Sequence, residues 1–308
     1  MKTKLEDIKK QAGIVGQSKV INEALDEAAR IAATNSHVLI LGEPGTEKKE
    51  FANFIHLLSK RASNSMAEFY CGPIHKYSAE VELFGHVKGS MQNRRPGLFE
   101  SANMGSVFLE SISHLSAATI QQIKKAMIDG SIQRIGADMA EKIDVRVFLD
   151  IEQDKRGKPV PPSLKKQFAK LNVAEIVIPP LRERLEDIPL FYNKQLSSGA
   201  HERLYSYDWP GNIHQLLEVV KKSESFCLSE TLHAEDLILP HSDHSLDIYS
   251  ALPEPEQGFD MPSFLSKVEK QLIIRAIYNA DLDLSEAGRI LGESDAKIRK
   301  FWKKYRPD

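Results

Sequence analysis

The stretch Gly42-Glu43-Pro44-Gly45-Thr46-Glu47-Lys48-Lys49 is the part of this 308-residue sequence best equipped for chemistry. A glycine-rich turn closed by a lysine is the outline of a phosphate-binding loop, G-x-x-x-x-G-K-[ST], whose backbone N–H groups and lysine cradle phosphates. Gly42 and Lys48 stand in place, but Glu47 replaces the second glycine. Glycine accepts backbone angles that other residues resist. A carboxylate at that position is expected to approach the phosphate cradle, a like-charge contact costing on the order of 1–4 kcal/mol at a few ångströms. Alone, the fragment fits a Gly/Pro turn equally well.

The surrounding pattern supplies the setting such a loop needs. Val38 to Leu41 is a short apolar run that reads as a buried strand, and Lys48 to Lys60 has helical character. Before them, Val20, Ile21, Leu25, Ala28, Ala29 and Ile31 recur at helical spacing within 14–34. Ser106 to Leu109, Val145 to Leu149 and Glu175 to Ile178 read as further buried strands, and Ala117 to Asp129 as a helix stopped by Gly130. Strands alternating with helices predict an α/β layer with a largely parallel sheet. Beyond Pro180 helices dominate to about Leu239, and the His-, Ser-, Asp- and Pro-rich residues that follow read as a linker. The expected division is an α/β core over 1–178, a helical lid over 179–239, a linker over 240–262 and a small helical module over 263–308.

Several separate stretches then resemble the AAA+ domain of bacterial enhancer-binding proteins that activate sigma-54 RNA polymerase. Gly42 to Lys48 looks like GESGTGK, Glu82-Leu83-Phe84-Gly85-His86 matches ELFGH, and Arg95-Pro96-Gly97-Leu98-Phe99-Glu100 resembles RPGxFE. Pro179 to Arg184 matches PPLRER, Glu186 to Pro189 matches EDIP, and Trp209-Pro210-Gly211-Asn212-Ile213 matches WPGN(I/V). The resemblance runs from about Ile14 to Leu239 and implies a P-loop AAA+ core with a helical lid, so Gly42, Gly45, Thr46, Lys48, Glu110 and His214 are the implied nucleotide contacts. No receiver or ligand-sensing domain is expected ahead of Ile14.

The same alignment implies a loss of catalysis. Where the family reads LFLDE, this chain reads Val107-Phe108-Leu109-Glu110-Ser111, and serine is no carboxylate base at neutral pH. Asp150-Ile151-Glu152 stands at the family's ATN sensor, and Tyr70 at an asparagine that regulates the catalytic Glu. Ser163 to Leu171 takes the arginine-finger segment and keeps only Lys170 of its two finger charges, and His214 replaces the sensor arginine. The GAFTGA loop that touches the sigma factor is absent between His86 and Arg95, which is about three residues shorter. The expectation is therefore no catalytic residue and no enzyme. ATP, another nucleotide or a cyclic dinucleotide stands as a ligand bound without hydrolysis.

The C-terminal segment resembles the family's Fis-type helix-turn-helix. Phe264, Leu265, Val268, Leu272, Ile273, Ala276 and Ile277 form an apolar stripe, and Leu284 to Gly292 is similar to the SEAARLLG pattern. Ser285 and Ser294 are the expected N-caps. From Lys297 to Arg306 the helix is basic without an acid, and a solvated helix face accounts for that charge as well as DNA does. The helix-turn-helix resemblance favours double-stranded DNA, with Ser294, Asp295, Ala296, Lys297, Arg299, Lys300, Lys303 and Lys304 as the contacts. Such modules bind as dimers, so a palindromic site, a homo-oligomer, hetero-oligomers with related AAA+ regulators and contact with RNA polymerase are the implied partnerships.

The composition excludes other classes. Net charge is −2, so any nucleic-acid surface must be local. No run approaches the roughly 18 apolar residues of a membrane span, and the N-terminus lacks a signal-peptide core, so the expected location is cytoplasmic and no membrane partner is expected. Cys71 and Cys227 are isolated, and the ten histidines have no ligand spacing, so no disulfide or metal is expected.

Overall fold

The computed structural model describes residues 2–72, 76–87, 95–155, 157–168, 171, 173–227, 229–239 and, in pieces, 260–262, 265, 269, 272–273, 276–277, 280 and 283–305. Five strands, β1 (His37–Gly42), β2 (Met66–Tyr70), β3 (Ser106–Glu110), β4 (Arg146–Glu152) and β5 (Val173–Val177), form one sheet in the order β2-β3-β4-β1-β5. All four pairings are parallel. The α/β expectation holds.

Strand residues alternate between two cores. Leu39, Leu41, Val107, Leu109, Val147 and Leu149 face one cluster, and Val38, Ile40, Phe108, Phe148 and Ile176 face the other. The second face is covered by α1 (Lys2–Ala12), α2 (Lys19–Ala32) and α3 (Lys48–Leu58), through Ile8, Ile21, Leu25, Phe51 and Phe54. The first face receives α4 (Ala117–Asp129) through Ile120, Ile123 and Ala126. Ser116 caps α4 by accepting from Thr119 N at 3.1 Å, and Gly130 ends it at φ +57°, the left-handed angle that stops a helix most cheaply in glycine.

Strand β2 was not among the expected strands. Its sequence, Met-Ala-Glu-Phe-Tyr, is half-exposed at the sheet edge, so it lacks the apolar run that marks a buried strand.

After Pro180 come two 3-10 segments, then α5 (Ser198–Tyr205) and α6 (Asn212–Phe226), around a separate core of Leu181, Ile188, Leu204, Trp209, Leu216 and Val219. Residues Met1–Ser242 form one compact unit and Asp243–Asp308 another. Most of the expected linker, 240–259, lies outside the described residues, as do Phe264 and Val268 of the expected first helix. In the second unit α7 (Leu284–Leu291) and α8 (Asp295–Tyr305) pack around Ile277, Ala287 and Ile298. Among the described residues no helix is long and apolar enough to cross a membrane, and no group of three or more His, Cys, Asp or Glu could hold a metal ion. Both cysteines are buried and free.

Candidate nucleotide and nucleic-acid sites

The loop between β1 and α3 opens onto a cavity of about 500 Å³ at the carboxyl end of the sheet, where ligands of open α/β sheets bind. Gly45, Thr46, Lys48, Glu110 and His214 all line it, so five of the six expected nucleotide residues meet there. Gly42, the sixth, ends β1 behind the loop. Tyr70 of β2, Ser111 just after β3, and Asp150 and Glu152 of β4 line the same space.

Gly45 is required by geometry. Its φ is +76°, and a Cβ there would lie 2.2 Å from the Gly211 carbonyl oxygen. This close approach lets Gly45 O accept from Ile213 N at 2.9 Å, satisfying an otherwise orphan N–H at the start of α6. The phosphate loop and the lid are thereby joined.

Glu47 corrects an expectation. It adopts the left-handed angle, φ 66° and ψ 37°, that the replaced glycine would take without cost. Its carboxylate, however, faces Arg184, with Oε2 3.0 Å from Nη2, rather than the phosphate cradle. Arg184 is fully buried and Glu47 12% exposed. Burial pushes Glu47 up to about 7 even against the neighbouring guanidinium. The substitution has thus become an ion pair between phosphate loop and lid, which gives the Glu47 carboxylate a counter-charge although its side chain still lines the cavity beside Lys48.

A second clamp lies beside it. Both Arg182 guanidinium nitrogens donate to the Glu43 carboxylate, at 2.8 and 2.7 Å, and Asn212 Nδ2 donates to Glu43 Oε2 at 3.2 Å and to Pro44 O at 2.9 Å. Burial raises the Glu43 carboxyl, but these donors outweigh it and hold the group below its ordinary value. Asp187 fastens the N-terminal segment, accepting from Gln17 N, Ser18 N and Ser18 Oγ. The sequence marks Arg182 and Arg184 only as part of the PPLRER match and gives no sign of Glu43 and Glu47 as their counterparts.

Lys48 lies on the cavity floor. Its Nζ donates to Gly42 O and Glu43 O, both at 3.1 Å, and stands 3.2 Å from Asp150 Oδ1. Burial raises the Asp150 carboxyl, opposed by Lys48 and by Ser111 N, which donates to Oδ2 at 3.1 Å. Glu152 Oε1 accepts from Ser111 Oγ at 3.3 Å. The cavity therefore offers backbone donors and a lysine for phosphate, and three carboxylates from the sheet. Lys170 and the loop residues 88–94, where the GAFTGA absence falls, lie outside the described residues.

In the second unit α7 and α8 are joined by Gly292, at φ 65°, Glu293 and Ser294. Asp283, not Ser285, caps α7, accepting from Ser285 N and Glu286 N, because a carboxylate one residue outside the helix reaches both orphan donors. Ser294 Oγ accepts from Lys297 N at 3.4 Å, as expected of a cap for α8. Ser294, Asp295, Ala296, Lys297, Arg299, Lys300 and Lys303 are all exposed, while Ile298 is buried; Lys304 is helical, and its side chain is outside the description. Lys297 is engaged by Glu293 at 2.7 Å and Glu269 at 3.5 Å, and Arg299 lies 3.7 Å from Asp295.

Residues 14–177 match the family described as the Sigma-54 interaction domain, and residues 182–246 the AAA+ ATPase lid domain. The chain belongs to the sigma-54 interaction domain family. Among curated relatives, the nitric oxide reductase transcription regulator NorR1 of Cupriavidus necator is 29% identical across 94% of this chain and 63% of that protein. The transcriptional regulatory protein ZraR of Escherichia coli O157:H7 is 31% identical across 92% of this chain and 66% of that protein. The chain spans about three fifths of the length of the first such relatives. The crystal structure of NtrX from Brucella abortus in complex with ADP superposes with a TM-score of 0.65 at 24% identity, covering 94% of this chain and 69% of that one. Its complex with ATP gives 0.65 at 23% identity, with the same coverage. These structures share the fold of the sigma-54 interaction domain described here.

Family membership corrects the expectation that the chain is no enzyme and binds nucleotide only without hydrolysis. Its two matched regions are the paired domains of an AAA+ ATPase. The physical ground for the expectation also weakens, since Glu47 is turned to Arg184 and Glu110, Asp150 and Glu152 keep carboxylates in the cavity.

Proposed function

We propose that this chain is a transcription regulator of the sigma-54 activator type that binds ATP between its phosphate loop and lid and hydrolyses it with catalytic residues displaced from their usual positions. The observation that carries the proposal is the cavity itself, lined by Thr46, Lys48 and the rest of the loop together with Glu110, Asp150 and Glu152. The ADP and ATP complexes of the structural neighbour support nucleotide as the ligand class. A divalent cation would arrive with the triphosphate, since no described cluster of three ligating side chains exists for it, and Glu110 is the carboxylate placed to face it.

The exposed basic face of α8 supports double-stranded DNA as the target of residues 263–308, through Ser294, Asp295, Ala296, Lys297, Arg299, Lys300, Lys303 and Lys304. A dimer or higher oligomer on a palindromic site, located in the cytoplasm, completes the reading. Steady-state phosphate release by the purified chain tests the ATPase half, with turnover abolished by Lys48→Ala as the expected result. Absence of turnover across magnesium, pH and DNA conditions refutes it. A salt-dependent, sequence-selective gel shift tests the DNA half, and equal affinity for any duplex counts against it.

A second reading, a regulator that joins related AAA+ regulators instead of remodelling polymerase by itself, is favoured by the lack of GAFTGA between His86 and Arg95. Transcription from a sigma-54 promoter with this chain as sole activator separates the two.

A further inference from the structure

We infer that Glu152 is the general base of the nucleotide site, with Ser111 as its positioning residue; the inference rests on the ATPase reading above. Hydrolysis of a nucleoside triphosphate needs a group that takes a proton from the attacking water beside the terminal phosphate. The residue directly after β3 is Ser111, whose hydroxyl is no base at neutral pH. The question is which neighbouring carboxylate faces the same gap.

The other carboxylates on the cavity wall are bound to partners, given to the cation or left without a positioning group. Glu47 is bound to Arg184. Glu50 lines the cavity from the first turn of α3, not from the strand ends, and no described residue positions its carboxylate. Asp150 is 2% exposed and engaged by Lys48 on one oxygen and by Ser111 N on the other. Glu110 is assigned to the triphosphate's cation.

Glu152 differs in three ways. It ends β4 in register with Gly42, the first residue of the phosphate loop, and the next residue, Gln153, donates its N–H to Gly42 O at 3.0 Å. Its main chain is thus tied to the loop that holds phosphate. Its Oε1 is fixed by the Ser111 hydroxyl at 3.3 Å, while Oε2 takes no hydrogen bond among the described residues. Finally, it is half-buried on the cavity wall, where water and a phosphate can both reach it. Ser111 itself is held in a left-handed conformation, φ 55° and ψ 48°, by its N–H on Asp150, which aims its hydroxyl across the gap to β4. A carboxylate on the strand next door, oriented by a hydroxyl, stands in for a carboxylate after β3.

In the step this implies, the water oxygen bonds to the γ-phosphorus as one water proton passes to Glu152 Oε2. The bond from the γ-phosphorus to the β,γ-bridging oxygen breaks with its electron pair on the nucleoside diphosphate. Phosphate departs, and Glu152 releases the proton to solvent. Nothing is oxidised or reduced.

The test uses the purified full chain with magnesium and ATP, reading phosphate release beside the Kd of a fluorescent ATP analogue. Glu152→Gln is expected to lower kcat by about a hundredfold or more with Kd nearly unchanged. Ser111→Ala is expected to lower kcat less, without raising KM, and to shift the acid limb of the pH profile; Ser111→Asn, which keeps a donor, is expected to retain the wild-type limb. Glu152→Gln combined with Ser111→Glu is expected to regain turnover. Turnover that survives Glu152→Gln overturns this assignment and leaves the ATPase reading intact. A wild-type chain that binds the analogue but releases no phosphate overturns both, and a chain that binds neither refutes nucleotide as the ligand.

Discussion

The phosphate loop and the last helix carry similar numbers of charged side chains, yet they handle them in opposite ways. Around the loop, Glu43, Glu47, Lys48, Asp150 and Arg184 are nearly out of water, and each meets a partner of opposite charge. Along α8, the cations stay in solvent, and their acids are mostly within four residues, as with Lys297 and Glu293 or Arg299 and Asp295. Buried pairs lose heavily when one member is removed, because the survivor stays desolvated and unpaired. Exposed pairs are screened and contribute little to stability, so their charge remains available to an outside polyanion. The first region is wired for structure and site geometry, the second for a partner.

The largest effect that can break this contrast is at the loop-to-lid pair. Arg184→Ala removes the guanidinium from a fully buried site and leaves Glu47 without its counter-charge. The expected loss is about 3–5 kcal/mol of unfolding free energy, read by denaturant titration. The double variant Glu47→Gly with Arg184→Met, which removes both charges and restores glycine at φ 66°, is expected to recover most of it. A loss below about 1 kcal/mol in Arg184→Ala means the pair is more hydrated than its burial suggests.

The same pair sharpens the contrast through pH. Glu47 is raised from an ordinary 4.5 to about 7, so in the folded chain its ionised form is the disfavoured one. Protons bind more tightly to the folded than to the unfolded chain across that window. Stability from this group is therefore present below about 4.5 and lost as pH rises through about 7. Melting curves of wild type and Glu47→Gln are expected to diverge in favour of the variant as pH climbs from 5 to 7.5, by several degrees at most. A constant difference across that range places the Glu47 titration outside it.

How much of this was legible in the sequence follows the same division. The expected strands at Val38, Ser106, Val145 and Glu175 and the helix ended by Gly130 were readable because their signals are local, an apolar run or a turn residue. Lys48 and Glu110 were found through motifs that carry their own spacing. The redirection of Glu47 was not legible, because its partner lies 137 residues away, and a residue at a glycine position gives no sign of which wall its side chain will meet. The Glu43 contacts with Arg182 and Asn212 span 139 and 169 residues and were hidden for the same reason. Glu152 was read as a lost sensor; only the register of β4 against β1 places it beside the phosphate loop.

At the exposed end, Lys300 has no ion pair among the described residues and lies on the face opposite Ile298. Lys300→Ala is expected to weaken DNA binding severalfold at low salt and to reduce the slope of log affinity against log salt by about 1, with the melting temperature unchanged. An unchanged slope removes Lys300 from the phosphate contacts.

The smallest effect is expected at Lys297, and it discriminates most finely between the two ways of handling charge. Lys297 is 47% exposed and sits 2.7 Å from Glu293 and 3.5 Å from Glu269. These acids raise its proton affinity, the Glu293 contact most, but in solvent that attraction stabilises the fold very little. Lys297→Gln should therefore leave the melting curve superimposable on wild type. It should also weaken DNA binding less than Lys300→Ala, because phosphates must compete with two carboxylates already at hand for this ammonium. If Lys297→Gln proves the more damaging of the two for DNA, then Glu293 and Glu269 do not hold the lysine back when DNA is bound. The N-terminal turn of α8, rather than its middle, would then be the part that meets the duplex.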